Sequence, residues 1–235
     1  MIGANYPKIE FEMFGMELLE PMALITDSIM GLLSIYFAYK IFKIKSDLPF
    51  YKYWKLFFLV FGIGAILGGF GHTFYNQFSF YGKIPSWLFG PISIYLAEKA
   101  MILSHWDSQK KKLYLKIANL KMLIVYIAWF TLLFIADEDK IDTLPFLPIA
   151  INTILGLLFF VGYLGFKYTE KFSAKFKYFW LGILIMLPTA FIFLLKVNIS
   201  QWFDKNDFSH IIMMLGITYL YLGVKGISEG LKQKN

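Results

Sequence analysis

Two imidazoles and a carboxylate, His72, His210 and Asp27, stand inside otherwise apolar stretches of this chain. Ionisable groups are costly in hydrocarbon, so they normally face the interior of a helix bundle and mark a site or a pathway. Two neutral imidazoles and one carboxylate make a three-donor set for Zn²⁺, with a fourth position left for water. A metal there would lower the pKa of its water to about 7 and supply hydroxide next to lipid. Asp207 lies one helical turn from His210 and is a candidate ligand, orienter or proton-transferring base. Glu20, Asn152 and Lys196 complete the polar set. The same groups could instead form a proton or cation relay without any metal.

Depth and helical face give these residues a common address. At about 1.5 Å per residue, Asp27, His72, Asn152, Lys196 and His210 all fall roughly 4–10 Å outward of the midpoint of their apolar segments. Glu98 falls on the other side of the midpoint. Glu20, Asp27, Gly31 and Ser34 share one side of a helix, as do Gly62, Ala65, Gly69, His72 and Asn76. Small residues allow close backbone approach between membrane helices, so His72 is expected to point at a neighbour. Asp207 and His210 continue through Met214 to Thr218 and Tyr221.

The elements that must position these side chains are long and apolar. The chain has 235 residues, 58% of them apolar and only 17% charged, and its mean hydropathy is +0.58. Soluble domains run nearer 45–50% apolar and about 25% charged. A bilayer core of roughly 30 Å asks for about 20 apolar residues per helix. Such stretches lie at 18–42, 54–78, 86–106, 113–136, 144–166, 177–200 and 207–227, with no long linker between them. The expectation is all-α: a single seven-helix membrane domain over residues 1–235. The absence of cysteine excludes disulfides, thiolate metal sites and cysteine nucleophiles.

The charges set a direction. All 23 basic residues are lysines, and the net charge is +7. Nucleic-acid surfaces exploit arginine's planar fork, so no nucleic-acid partner is expected. The first, third and fifth connectors and the C-terminal tail hold 16 lysines, against four on the opposite side amid Asp137, Glu138, Asp139 and Asp142. By the positive-inside rule the N-terminus is outside and the C-terminus cytoplasmic. A bacterial inner (plasma) membrane is the expected location.

Gly68-Gly69-Phe70-Gly71-His72 and Asp207-Phe208-Ser209-His210, with the helix count and topology, resemble the seven-helix membrane hydrolase superfamily of alkaline ceramidases and progestin and adiponectin receptors. The resemblance implies a zinc-dependent hydrolase that cleaves a lipid amide, with His72 and His210 on the metal. The chain departs from the pattern at Gly68, where the family has Ser, and at Met214, where it has a second His. A zinc site here would therefore draw on Asp27, Glu20 or Asp207. The alternatives are a transporter or channel lined by Asp27, His72, Asn152 and Lys196, and a non-catalytic receptor-like bundle.

Overall fold

Glu10–Met13 and Met16–Leu19 form an antiparallel hairpin, β1 and β2, where the sequence suggested that helix was about to begin. Its turn residues Phe14 and Gly15 both have positive φ, 54° and 72°, as a two-residue mirror-image turn requires. The hairpin delays the first helix, which starts at Pro21 with proline in the first turn. These features belong to a computed structural model describing residues 6–137 and 140–232, without the side chains of 229–232. Glu138, Asp139 and Lys234, counted in the charge balance above, lie outside the described residues.

Seven long helices follow: α1 Pro21–Phe42, α2 Pro49–Thr73, α3 Ile84–Leu103, α4 Ser108–Ile135, α5 Phe146–Lys171, α6 Lys177–Leu194 and α7 Lys205–Lys232. Six of them are long and apolar enough to cross a membrane, so the chain is an all-α integral membrane protein. The exception is α3, which carries two prolines and the adjacent charges of Glu98 and Lys99. Several bounds differ from the sequence reading, and the local chemistry explains why. Leu48 caps α2 in extended conformation ahead of Pro49. Asp107 caps α4, its side chain accepting from the amides of Gln109 and Lys110. Helix α2 ends at Thr73; the chain then passes through one helical turn, Tyr75–Phe78, and a 3₁₀ segment, Ser79–Lys83. Midway along α5 the helix widens to π geometry over Gly156–Tyr163.

Helices α1, α2, α3, α5, α6 and α7 close into a ring, with α4 packed outside against α3 and α5. Glycine pairs set two of the contacts. A Cβ on Gly31 would lie 2.6 Å from the Gly62 carbonyl oxygen, and one on Gly182 would lie 2.9 Å from that of Gly216. Backbones this close leave no room for a side chain, which is how small residues bind membrane helices together. One end of the ring is filled by Phe37, Phe50, Trp54, Phe57, Phe58 and Phe179, all buried. That is the lysine-rich end. The polar side chains gather at the other end, beneath the hairpin.

Candidate functional site

The site is built where α1, α2 and α7 meet. Ala23, Thr26, Asp27, Met30, Gly31 and Ser34 form the buried stripe of α1. Opposite them α2 is small: a Cβ on Gly69 would come within 2.9 Å of Asp27 Cβ. That gap admits the Asp27 side chain to the bundle interior. From α7, His210 reaches into the same space, with Nε2 3.4 Å from Asp27 Oδ1 and Nδ1 2.9 Å from Thr26 Oγ1. Thr26 Oγ1 also lies 3.0 Å from Asp207 Oδ1 and 2.9 Å from the Met22 carbonyl oxygen.

Asp207 has a second task. Its Oδ2 accepts from the Asp204 amide at 3.1 Å, while Asp204 Oδ1 accepts from the Asp207 amide at 3.2 Å. This reciprocal capping box starts α7 and holds the other Asp207 oxygen against Thr26.

His72 belongs to a neighbouring pair. Its Nδ1 is 2.9 Å from Glu20 Oε2, and Glu20 Oε1 meets Lys8 Nζ at 3.3 Å. Burial works against the Glu20 charge, but the hydrogen bond and charge of His72, helped by Lys8, overcome it and bring the carboxyl down to about 2 from the ordinary 4.5. Because the folded value is depressed, this contribution to stability is complete above about pH 4.5 and is lost as the pH falls towards about 2. The hairpin end should therefore loosen on acidification. Limited proteolysis of the hairpin should accelerate between pH 5 and 3 in the natural chain, and much less in a Glu20→Gln variant, already weakened at pH 5.

Of these groups Glu20 and Asp207 open onto a cavity of about 230 Å³, whose walls also include Lys8, Ala23, Lys196 and Asp204. Asp207 is common to the cavity and the buried cluster. Lys196 stands exposed at the cavity wall with a left-handed backbone, φ 51°.

Of the expected polar set, then, the structure joins Asp27, Asp207 and His210, sets Glu20 and His72 beside them, and leaves Lys196 at the mouth. Asn152 goes elsewhere. It meets the Lys121 ammonium through its side-chain oxygen, and Lys121 Nζ lies 2.7 Å from Glu98 Oε1. This second cluster joins α3, α4 and α5 beside the π segment. Thr26, Lys121 and Asp204 were missed by sequence reasoning. The Asp204-x-x-Asp207 spacing at a helix start is a signal that could have found one of them.

The expected zinc donors fall into two pairs, His72 with Glu20 and His210 with Asp27, and are not gathered into one three-donor set. Glu20 occupies Nδ1 of His72, and Thr26 and Asp27 face the two ring nitrogens of His210. Among the described residues no group of three or more His, Cys, Asp or Glu side chains could hold a metal ion. What the arrangement offers without one is acid–base chemistry: an imidazole held on one nitrogen and facing a carboxylate with the other.

Fold and site together define a polytopic helical membrane protein with a buried acid–histidine cluster at one end. Residues 22–229 match a protein family of unknown function, DUF6962, and the chain belongs to that family. No curated protein and no solved structure matches it.

Proposed function

We propose that the chain crosses the membrane seven times, N-terminus outside and C-terminus cytoplasmic, and that its outer end is a hydrolytic site acting on a lipid. Counting α3 as a span is supported by the pairing of Glu98 with Lys121, which removes that charge from the lipid-facing surface. The direction is supported by the lysine bias and the positive-inside rule.

The observation that carries the hydrolytic reading is His210 held between Thr26 and Asp27, beside a cavity that Asp207 shares. The 3.4 Å separation of His210 from Asp27 is longer than a formed hydrogen bond, as catalytic contacts often are without substrate. In the proposed reaction the Thr26 hydroxyl, which sits on His210 Nδ1, takes a proton from water as it passes its own to His210, and the water oxygen bonds to the acyl carbon of an ester or amide. The acyl bond to oxygen or nitrogen breaks, and the leaving atom takes the proton back from His210. The products are a fatty acid and an alcohol or amine. Asp27 faces the imidazolium that forms, and Asp207 fixes Thr26 and exchanges protons with the cavity.

The packed aromatic residues at the lysine-rich end weigh against a channel, since Ser34 below the cluster is satisfied by the Phe58 carbonyl and the buried residues past it on α1, Phe37, Ala38 and Ile41, are apolar. The test is fatty-acid release by the purified full chain in liposomes carrying acyl-ester or acyl-amide lipids, with and without a chelator. Release unaffected by the chelator is the expected result. No release from either lipid class would end the hydrolytic reading.

A further inference from the structure

Two concavities share one short segment of chain. Lys196 and Asn198 line the polar cavity, whereas Leu195 and Val197 line a separate apolar groove of about 310 Å³ with Leu187 and Phe191 of α6. Adjacent residues thus face a wet pocket and a greasy trough in alternation. That is the division an amphiphile needs, with its headgroup on one side and its chain on the other.

The segment owes its path to Lys196. The Val197 amide bonds back to the Ile192 carbonyl at 3.0 Å and the Lys196 amide to Phe193, the pattern that ends a helix on a left-handed residue. Glycine is the usual occupant of that position because it carries no Cβ penalty. A lysine there, at φ 51°, accepts the strain and holds an ammonium at the cavity wall. The neighbouring lysines have acidic partners, Lys8 on Glu20 and Lys205 near Asp204. Among the described residues Lys196 has none. Trp202, 58% exposed on the same wall, is the residue type that settles at headgroup level.

We infer that this site takes a phospholipid, its phosphate diester on Lys196 in the polar cavity and an acyl chain in the groove along α6. The inference rests on reading this end as a lipid site, and stands whether or not the lipid is hydrolysed. A neutral lipid would leave Lys196 unmatched, and free phosphate would leave the groove unused.

The test is native mass spectrometry of the full chain with phosphatidylglycerol, diacylglycerol or inorganic phosphate. The natural chain should prefer phosphatidylglycerol over diacylglycerol by about tenfold, the scale of one charge-assisted contact. Lys196→Gly keeps the left-handed turn and should lose that preference, while Lys196→Arg keeps it. Leu187→Trp, which fills the groove, should weaken both lipids and leave inorganic phosphate unchanged. Equal binding of the two lipids, or a preference that survives Lys196→Gly, overturns the inference. Inorganic phosphate binding as tightly as phospholipid overturns the acyl half of it. His210→Ala should bind phospholipid normally even though the proposed reaction needs His210, so lost turnover with intact binding separates the two readings.

Discussion

Replacing Lys121 with methionine is expected to destabilise the fold by about 3–5 kcal/mol, the cost of stranding a buried charge. Glu98 has no exposed surface. The Lys121 ammonium is 2.7 Å from its Oε1, and among the described residues the carboxylate accepts no well-aligned hydrogen bond. The attraction is therefore one of charge, and without Lys121 nothing replaces it. Nor can Glu98 turn away. A Cβ on Gly156 would sit 2.2 Å from Glu98 Oε1, so the carboxylate lies hard against the α5 backbone where the π segment begins.

The reverse replacement should be milder. The Lys121 side chain is 17% exposed and can swing its long stem outward when Glu98→Gln removes its partner. The double variant, Glu98→Gln with Lys121→Met, should regain most of the loss because no charge is left buried. Thermal unfolding of the four proteins in one detergent measures all of this. Equal losses in the two single variants would mean that the pair contributes by packing and not by charge.

How far the sequence could be read follows from what each signal encodes. Apolar length marks a span without reference to any neighbour, so the stretches from 113 to 227 were legible as spans, whereas 86–106 was legible only as a helix. The starts of α1 and α2 were hidden by Glu20-Pro21 and Leu48-Pro49, whose prolines open helices and do not interrupt them. Those shifts account for the site as well. Depth arithmetic run from residue 18 to residue 78 puts His72 level with Asp27. With α2 ending at Thr73 and α1 starting at Pro21, His72 stands at the end of its helix, level with Glu20. Glu20 and Asp27 are two turns apart, about 10 Å along the axis, which is enough to split the expected trio into two pairs. Lys121 was overlooked for a different reason. A single lysine inside a long apolar run looks like a tolerated interruption until the helix packing brings Glu98 and Asn152 to it. Helix rotation and pairing are long-range properties, and nothing in the local pattern of α4 encodes them.

The largest effect on activity is expected at His210. If it is the base, His210→Ala should lower the turnover of fatty-acid release by about 10²–10⁴-fold. Asp27→Asn should give a smaller loss, because the imidazole keeps its contact to Thr26 and loses only the carboxyl group it faces. The double variant should be little worse than His210→Ala alone, since groups that act as one unit do not add. Thr26→Val would strand buried partners on His210 and Asp207 and should cost about 1–3 kcal/mol of stability along with activity. The decisive comparison is with His72. Its bond is to Glu20, so His72→Ala should loosen the hairpin end and leave most of the rate. A metal shared between the two imidazoles demands the opposite, equal losses in His72→Ala and His210→Ala, with zinc present in the purified natural chain and absent from both variants. Initial rates of the purified variants, each checked for its melting temperature, together with their zinc content, decide between an imidazole acting on water and a metal acting through both.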